Sequence, residues 1–370
     1  MSVVPKLSGS RALTRLDAAI AAATDVHEAT CRRAERSALL ARHGHLAEAR
    51  VELERLPRNG PPRVDAWIAL AEGLVRYFSD LDAGARDRVQ AAHEGSAATR
   101  QTALHALASA WLAHLDYVQH DTANMTRHLA QALQLAAADD HATRSRACLV
   151  AALAFHHAGR QDLALPWYHA TRRHAASEGD DATLSALMHN MAWVRGNHAR
   201  EASIFGGADA DAVRHALMGA ESTEHFDAGL RTASLHSLVP ILRAQILVVL
   251  DQCAEALALY NEVLPAALNE GLARMEGFFR ADIAWCRWRL AQRAAALAEA
   301  ELAETLLGEA IDVDDRACAH GRLAQVFDAL GDSDTAARHR ACAEADLTVH
   351  RAQQALLLSA MQRGLKGLSP

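Results

Sequence analysis

Apolar and small residues recur along most of the chain in a pattern of paired helices. Each copy contains an apolar helix, a turn that often holds Gly, and a second helix with Ala five residues after the turn. The clearest copies surround Gly44, Gly159 and Gly331. Self-similarity at a period of about 40 residues is typical of a helical-repeat array, in which each unit packs on its neighbours. The pattern therefore predicts an all-α protein.

Breaks in the pattern set the expected boundaries. Further turns are predicted near Asp80-Leu81-Asp82, His120-Asp121, Asp251-Gln252 and Ala291-Gln292. The apolar run Ile246–Leu250 could be a strand by itself, but it falls inside the first helix of a repeat.

The repeats are expected to fill residues 11–350. Residues 1–10 are expected to form a flexible tail, with Ser10 as the N-cap of a first helix that ends at Ala23. Residues 196–211 contain Gly206-Gly207 and are predicted to form a long loop.

Small residues mark the register of each hairpin. They stand seven positions before the turns, and Ala also recurs five positions after four of them, at Ala49, Ala164, Ala256 and Ala336. Small side chains allow two helices to approach closely, so these positions are expected to be buried where paired helices touch.

This combination of small residue, turn Gly and second-helix Ala resembles the tetratricopeptide repeat (TPR) family, over most of residues 28–350 and with repeats longer than is usual there. The long variety is typical of the repeat regions of bacterial regulators and signalling proteins. The resemblance implies a right-handed superhelical solenoid of about seven or eight helical hairpins. It also implies a concave groove lined by first helices, which in that family usually binds a peptide or a partner's helix.

The C-terminal segment 351–370 follows the last hairpin. Its apolar stripe, Ala355 to Met361, predicts a capping helix or a homodimer contact followed by a short tail. A closing helix is expected from about Thr335 to Arg363.

Charge and composition exclude several classes of partner. A net charge of -7 does not indicate a nucleic-acid surface. Lys6 and Lys366 are the only lysines, so Arg supplies nearly all the positive charge. Genome composition explains this bias, and an Arg-lined anion site is the alternative. Neither a transmembrane run nor a secretory signal is recognisable, so a cytoplasmic protein with no membrane partner is expected.

Motifs for catalysis or metal binding are not recognisable. The six cysteines form no C-x-x-C pair and the 21 histidines form no H-E-x-x-H. The chain also has no P-loop and no G-x-S-x-G elbow. We therefore expect no cofactor, no metal and no enzyme activity, with a metal-dependent enzyme that assembles His residues across repeats as a remote alternative.

The TPR resemblance also selects candidate partner-binding residues on first helices. Asn190 lies two positions before the small Ala192, where the family often places an Asn that bonds a ligand's backbone. Trp285 and Trp288 share one helix face, and core packing is the alternative to a ligand contact for this pair. The full set is Tyr77, His114, Tyr117, His156, His157, Asn190, Gln245, Trp285 and Trp288.

These features favour a non-catalytic scaffold or regulator that holds a partner protein's peptide or helix. The second hypothesis is a ligand-sensing module for a small effector.

Overall fold

α-Helices form nearly all of the structure. The computed structural model describes residues 10–80, 84–207, 210–230, 237–308 and 311–370, and no strand occurs in these ranges. The all-α prediction is confirmed. The helices are α1 Arg11–Ala22, α2 Val26–Arg42, α3 Leu46–Glu54, α4 Pro62–Asp80, α5 Gly84–Ala98, α6 Thr102–Val118, α7 Thr122–Leu135, α8 His141–His157, α9 Gln161–Glu178, α10 Asp181–Phe205, α11 Ala210–Leu230, α12 Leu238–Val249, α13 Cys253–Ala267, α14 Glu276–Arg289, α15 Arg293–Leu306, α16 Val313–Leu330 and α17 Ser333–Gly364.

The chain divides into two compact units. Unit 1 comprises Met1–Leu187, Asp227–Ser234 and Leu356–Pro370, and unit 2 comprises Met188–Phe226 and Leu235–Ala355. Each unit has its own hydrophobic core.

Consecutive helices of unit 1 pack in pairs, α2 with α3, α4 with α5, α6 with α7 and α8 with α9. First helices also pack side by side, α2 against α4 and α6 against α8. The closest approach is at Gly73, where an added Cβ would lie 2.6 Å from Cγ2 of Val89. Only Gly fits there, so the small residue before the turn lets α4 and α5 touch.

Unit 2 repeats the same arrangement. α12 pairs with α13 and α14 with α15, while α14 also packs against α12 and α16. A short π turn, Leu268–Leu272, and a 3₁₀ turn, Ala273–Met275, connect α13 to α14. The core between these helices is aromatic, with Tyr260, Phe278 and Phe279 fully buried.

The predicted turns are confirmed by left-handed backbone conformations. Gly44, Gly159 and Gly331 have φ between 72° and 90°, as the end of a helix commonly requires. The turns without Gly use the same conformation, at His120 (φ 57°), Asp251 (φ 62°) and Ala291 (φ 59°). The turn near Asp80-Leu81-Asp82 falls partly outside the described residues.

The predicted register is confirmed by burial. Ala49, Ala164, Ala256 and Ala336 are all 0% exposed. Ser37, the small residue before the first turn, is also fully buried. Ser10 caps α1 as expected, because its hydroxyl accepts a hydrogen bond from the amide of Leu13.

The prediction of a long loop over 196–211 is wrong. Residues up to Phe205 continue α10, and α11 begins at Ala210. Gly196 lies inside α10, and its missing side chain leaves room for Leu242, whose Cδ1 would lie 2.7 Å from an added Cβ. The interruption is confined to the short connection that begins at Gly206, and residues 208–209 lie outside the description.

The C-terminal segment 351–370 is not a separate helix, because α17 continues without a break from Ser333 to Gly364. Within unit 1 its end packs on α7, where an added Cβ at Gly364 would lie 3.1 Å from Cβ of Thr126. Met361 is fully buried, so it is not available to a second copy, whereas Leu356 is 71% exposed. The expected N-terminal tail lies outside the described residues, apart from Ser10.

Candidate functional site

A pocket opens among the first helices of unit 1. Its volume is about 60 Å³, which suits a small molecule or one end of a larger one. Four consecutive first helices form most of the wall, and α1 together with the α9–α10 junction completes it. The lining residues are Ala12, Arg15, Leu16, Ala34, Glu35, Ala38, Leu39, Arg42, Trp67, Leu70, Ala71, Leu74, Leu107, Trp111, Ala142, Arg146, Glu178, Asp180 and Thr183.

Helical spacing explains why these side chains converge. Each first helix contributes residues four positions apart, which lie on one face of an α-helix. The four pairs are Ala38 and Arg42 on α2, Leu70 and Leu74 on α4, Leu107 and Trp111 on α6, and Ala142 and Arg146 on α8. The pocket is thus a product of the repeat, with a large or charged side chain at the second position of each pair.

Most charged groups in the wall already have partners. Arg15 forms an ion pair with Glu178, and Glu35 accepts a hydrogen bond of 3.0 Å from Arg32. Arg42 pairs with Asp180. Burial opposes ionisation of Asp180, but the Arg42 charge, together with hydrogen bonds from Arg42 and Thr183, outweighs it and lowers the pKa of Asp180 to about 2. Asp180 is therefore ionised at neutral pH.

Arg146 is the exception. It is only 5% exposed, and none of its nitrogens has a hydrogen-bond or ion-pair partner among the described residues; its Nε is wholly buried. Its guanidinium carbon lies 4.0 Å from the centre of the Trp111 ring. Burial, and next the Arg42 charge, lower the pKa of Arg146 to about 9, so the group still carries its charge at pH 7.

Two of the predicted site residues lie next to this pocket without lining it. Tyr77 and His114 stand three positions beyond Leu74 and Trp111, and the Tyr77 hydroxyl lies 3.0 Å from Nε2 of His114. The His114 ring packs edge-on against Trp111, with centroids 5.6 Å apart. They form a layer behind the pocket wall, on the same helices as lining residues but three positions further along.

Tyr117 lies near the end of α6, and His156 and His157 are the last two residues of α8. The ring centroids of Tyr117 and His157 are 6.5 Å apart, so the structure brings this pair together. His156 is 1% exposed, and its Nδ1 lies 2.9 Å from the hydroxyl of Tyr168. His156 therefore belongs to the core between α8 and α9, which contradicts its place in a solvent-facing groove.

Asn190 and Gln245 belong to unit 2. Asn190 is half-buried. Its side-chain amide forms no hydrogen bond with another described residue, as a backbone-binding role would require. Gln245 is 3% exposed, and neither its Oε1 nor its Nε2 has a partner in the described part of the chain. Such burial contradicts the expected exposure of Gln245 on a groove.

Trp285 and Trp288 stack on each other in unit 2, with ring centroids 5.0 Å apart. Both are half-buried, and Trp285 packs against two core clusters. The guanidinium of Arg322 lies 5.3 Å from the centre of the Trp285 ring. For Trp285 the contacts favour core packing over a ligand contact.

Unit 2 also contains a buried ionic cluster that the sequence did not reveal. The fully buried carboxylate of Asp282 forms ion pairs with Arg322 at 3.1 Å and with Arg200 at 3.3 Å. It also accepts a hydrogen bond of 3.3 Å from the Tyr260 hydroxyl. Arg200 packs on Phe278, with its guanidinium carbon 3.2 Å from the ring centre. Because residues of four helices contribute to this cluster, it links these helices within the core of unit 2.

The residue that sequence reasoning missed is Arg146. It stands at the start of an otherwise apolar stretch, two positions after Arg144. The only feature of the sequence that pointed to it was the high proportion of Arg, which raised an Arg-lined anion site as an alternative.

No helix in the described part of the chain is long and apolar enough to cross a membrane. No protein-family model matches the sequence, and no curated protein is significantly similar to it.

Proposed function

We propose that the protein is a non-catalytic binding module whose unit 1 pocket receives a small effector. The observation that supports this proposal is the pocket itself, which is lined mainly by first helices and contains a buried guanidinium that has no partner among the described residues. Concave sites with apolar walls and a few polar groups are where small ligands bind.

The groups in the wall favour binding over catalysis. Thr183 has the one hydroxyl in the lining, and it already donates to Oδ2 of Asp180 at 2.7 Å. All three carboxylates of the lining pair with an Arg: Asp180, which is buried, and Glu178 and Glu35, which are half-buried. This leaves the lining without an available nucleophile or base, and we assign no enzymatic step.

The location of the pocket agrees with what the TPR resemblance implied, since first helices line it. A TPR-like solenoid therefore remains our proposal for the architecture. The partner-peptide hypothesis rests on the nine first-helix candidates, of which His156 and Gln245 are buried, and it stays a separate expectation that a pull-down would test.

The experiment is a screen of small fragments, both charged and neutral, by ligand-observed NMR. Ala142→Leu narrows the pocket at a half-buried position, and Ala295→Leu makes the same change at a half-buried position of α15, in unit 2. Hits that are lost with Ala142→Leu and kept with Ala295→Leu would support the proposal. A screen without hits, or hits that are insensitive to Ala142→Leu, would refute it.

A further inference from the structure

Arg146 is the one Arg of the pocket wall that forms no ion pair with a described residue, although the nearby charge of Asp180 partly offsets its own. The pocket wall contains three Arg side chains, and two of them, Arg15 and Arg42, form ion pairs with Glu178 and Asp180. The remaining acid, Glu35, is held by Arg32 on its own helix. A buried charge without a partner is costly, so a protein seldom retains one unless something completes it.

The surroundings of Arg146 indicate which ligand group could pair with its charge. Trp111 covers one face of the guanidinium, and the nitrogens at its edge have no hydrogen-bond partner among the described residues. A planar guanidinium edge presents parallel N–H donors that match the two oxygens of a carboxylate. Asp180 does not supply that carboxylate, because it pairs with Arg42 and accepts from the hydroxyl and amide of Thr183, and no hydrogen bond or ion pair joins it to Arg146 among the described residues.

The apolar residues of the pocket wall indicate the chemical nature of the rest of the ligand. Trp67, Leu70, Leu74 and Leu107 present aromatic and aliphatic surface to the same space. A single unpaired charge matches a monoanion better than a multiply charged phosphate. The volume of about 60 Å³ limits the part that enters to a small group.

We propose that Arg146 binds the carboxylate of a small organic acid whose apolar or aromatic body packs against Trp67 and Leu70. This inference rests on the proposed function, because it names the chemical class of the effector for the same pocket.

The test uses pairs of probes that differ only in charge. Benzoate, phenylacetate and hexanoate are titrated into the full chain by calorimetry, each beside its neutral amide, with chloride and inorganic phosphate as separate arms. We expect at least one acid to bind about tenfold or more tightly than its amide, since hydrogen bonds to charged groups are worth that much. Chloride and phosphate should compete only weakly, because they have no body to fill the apolar wall.

Variants locate the effect. Arg146→Met should lower the affinity for the acid by about tenfold or more and leave the amide unchanged. Arg146→Lys should recover part of the lost affinity, since Lys restores the positive charge but not the parallel N–H donors of a guanidinium. Arg173→Met removes the same charge from an exposed position of α9 and should change nothing.

The outcomes separate this inference from the proposed function. Amides that bind as tightly as the acids, and equally to Arg146→Met, would overturn the charge assignment while the binding pocket stands. Chloride that binds as tightly as the acids and displaces them would assign the site to an inorganic ion and overturn the organic acid. No binding of any acid up to about 10 mM, an affinity too weak for recognition, would overturn the inference; a failed fragment screen as well would overturn both. The comparison of acid with amide needs only the unmodified chain, so it holds even if Arg146→Met does not fold.

Discussion

The hydroxyl of Ser37 donates a hydrogen bond of 2.8 Å to the main-chain carbonyl oxygen of Ala49, and so links α2 to α3. Ser37 is the small residue seven positions before the Gly44 turn, and Ala49 follows that turn by five. Both are fully buried. The register read from the sequence is therefore a physical contact between the two helices of a hairpin.

Enlarging the Ala of this register should destabilise the protein. Ala164 and Ala336 are 0% exposed, so Ala164→Trp or Ala336→Trp forces paired helices apart and should lower the free energy of unfolding by about 1–3 kcal/mol. Ala298→Trp, on the exposed face of α15, is the control and should have little effect. Thermal and urea denaturation measure the difference, and equal melting temperatures for all three variants would contradict the register.

Local features of the fold were predictable from the sequence, whereas features that depend on distant residues were not. The turns at Gly44 and Ala291 were found because a break in the apolar pattern is local. The pattern around Gly196 predicts a loop, yet Gly196 lies inside α10 and its missing side chain leaves room for Leu242. Nothing near Gly196 in the sequence reveals that contact.

The candidate site depends on distant residues in the same way. Arg144 and Arg146 stand two positions apart on α8, and nothing in their neighbours distinguishes them. Arg144 donates to the carbonyl of Ala137 at 2.7 Å, whereas Arg146 enters the pocket. Their roles are decided by the helices packed around α8, in particular by Trp111 of α6.

Asp116 joins three helices in unit 1, and its loss should be costly. Its carboxylate is fully buried and accepts from Nε of Arg86 at 2.8 Å and from Nδ1 of His128 at 2.6 Å. In Asp116→Asn one amide NH₂ must face a donor, and the charge of Arg86 loses its partner. We expect the free energy of unfolding to fall by about 3–5 kcal/mol in chemical denaturation.

The control for this variant is Asp162→Asn, because Asp162 also pairs with an Arg, Arg160, but in full contact with solvent. Exposed ion pairs contribute little. The melting temperature of Asp162→Asn should stay close to that of the unmodified chain. A comparable loss of stability in both variants would mean that the buried contacts of Asp116 contribute no more than an exposed ion pair.

One turn should be improved by glycine. Ala291 has φ 59°, a left-handed conformation that strains any residue with a Cβ. Ala291→Gly removes the strain and should raise the free energy of unfolding by about 1 kcal/mol, although Gly also gives the unfolded chain more freedom. Ala298→Gly, inside α15, should instead lower it by about 1 kcal/mol. Opposite signs in urea denaturation are the expected result, and a loss of stability in both would show that Ala291 is not strained.

Acid should weaken unit 1 through His114. Burial, and next the charges of Arg146 and Arg42, lower the pKa of His114 to about 3, against about 6.5 in the unfolded chain. The folded state favours the neutral ring, so the stability associated with His114 is complete above pH 6.5. It is lost as the pH falls from about 6.5 towards 3, because only the unfolded chain takes up the proton there.

Between pH 7 and pH 5 this loss amounts to at most about 2 kcal/mol for His114. His114→Gln keeps a hydrogen-bonding group beside Tyr77 but cannot titrate, so its free energy of unfolding should fall by correspondingly less over this range. His27→Gln, at an exposed position of α2, should fall as the unmodified chain does. Urea denaturation at pH 7, 6 and 5 gives the three slopes. If the slope of His114→Gln equals that of the unmodified chain, His114 takes up its proton equally in both states and the ring is not held neutral by its burial behind the pocket wall.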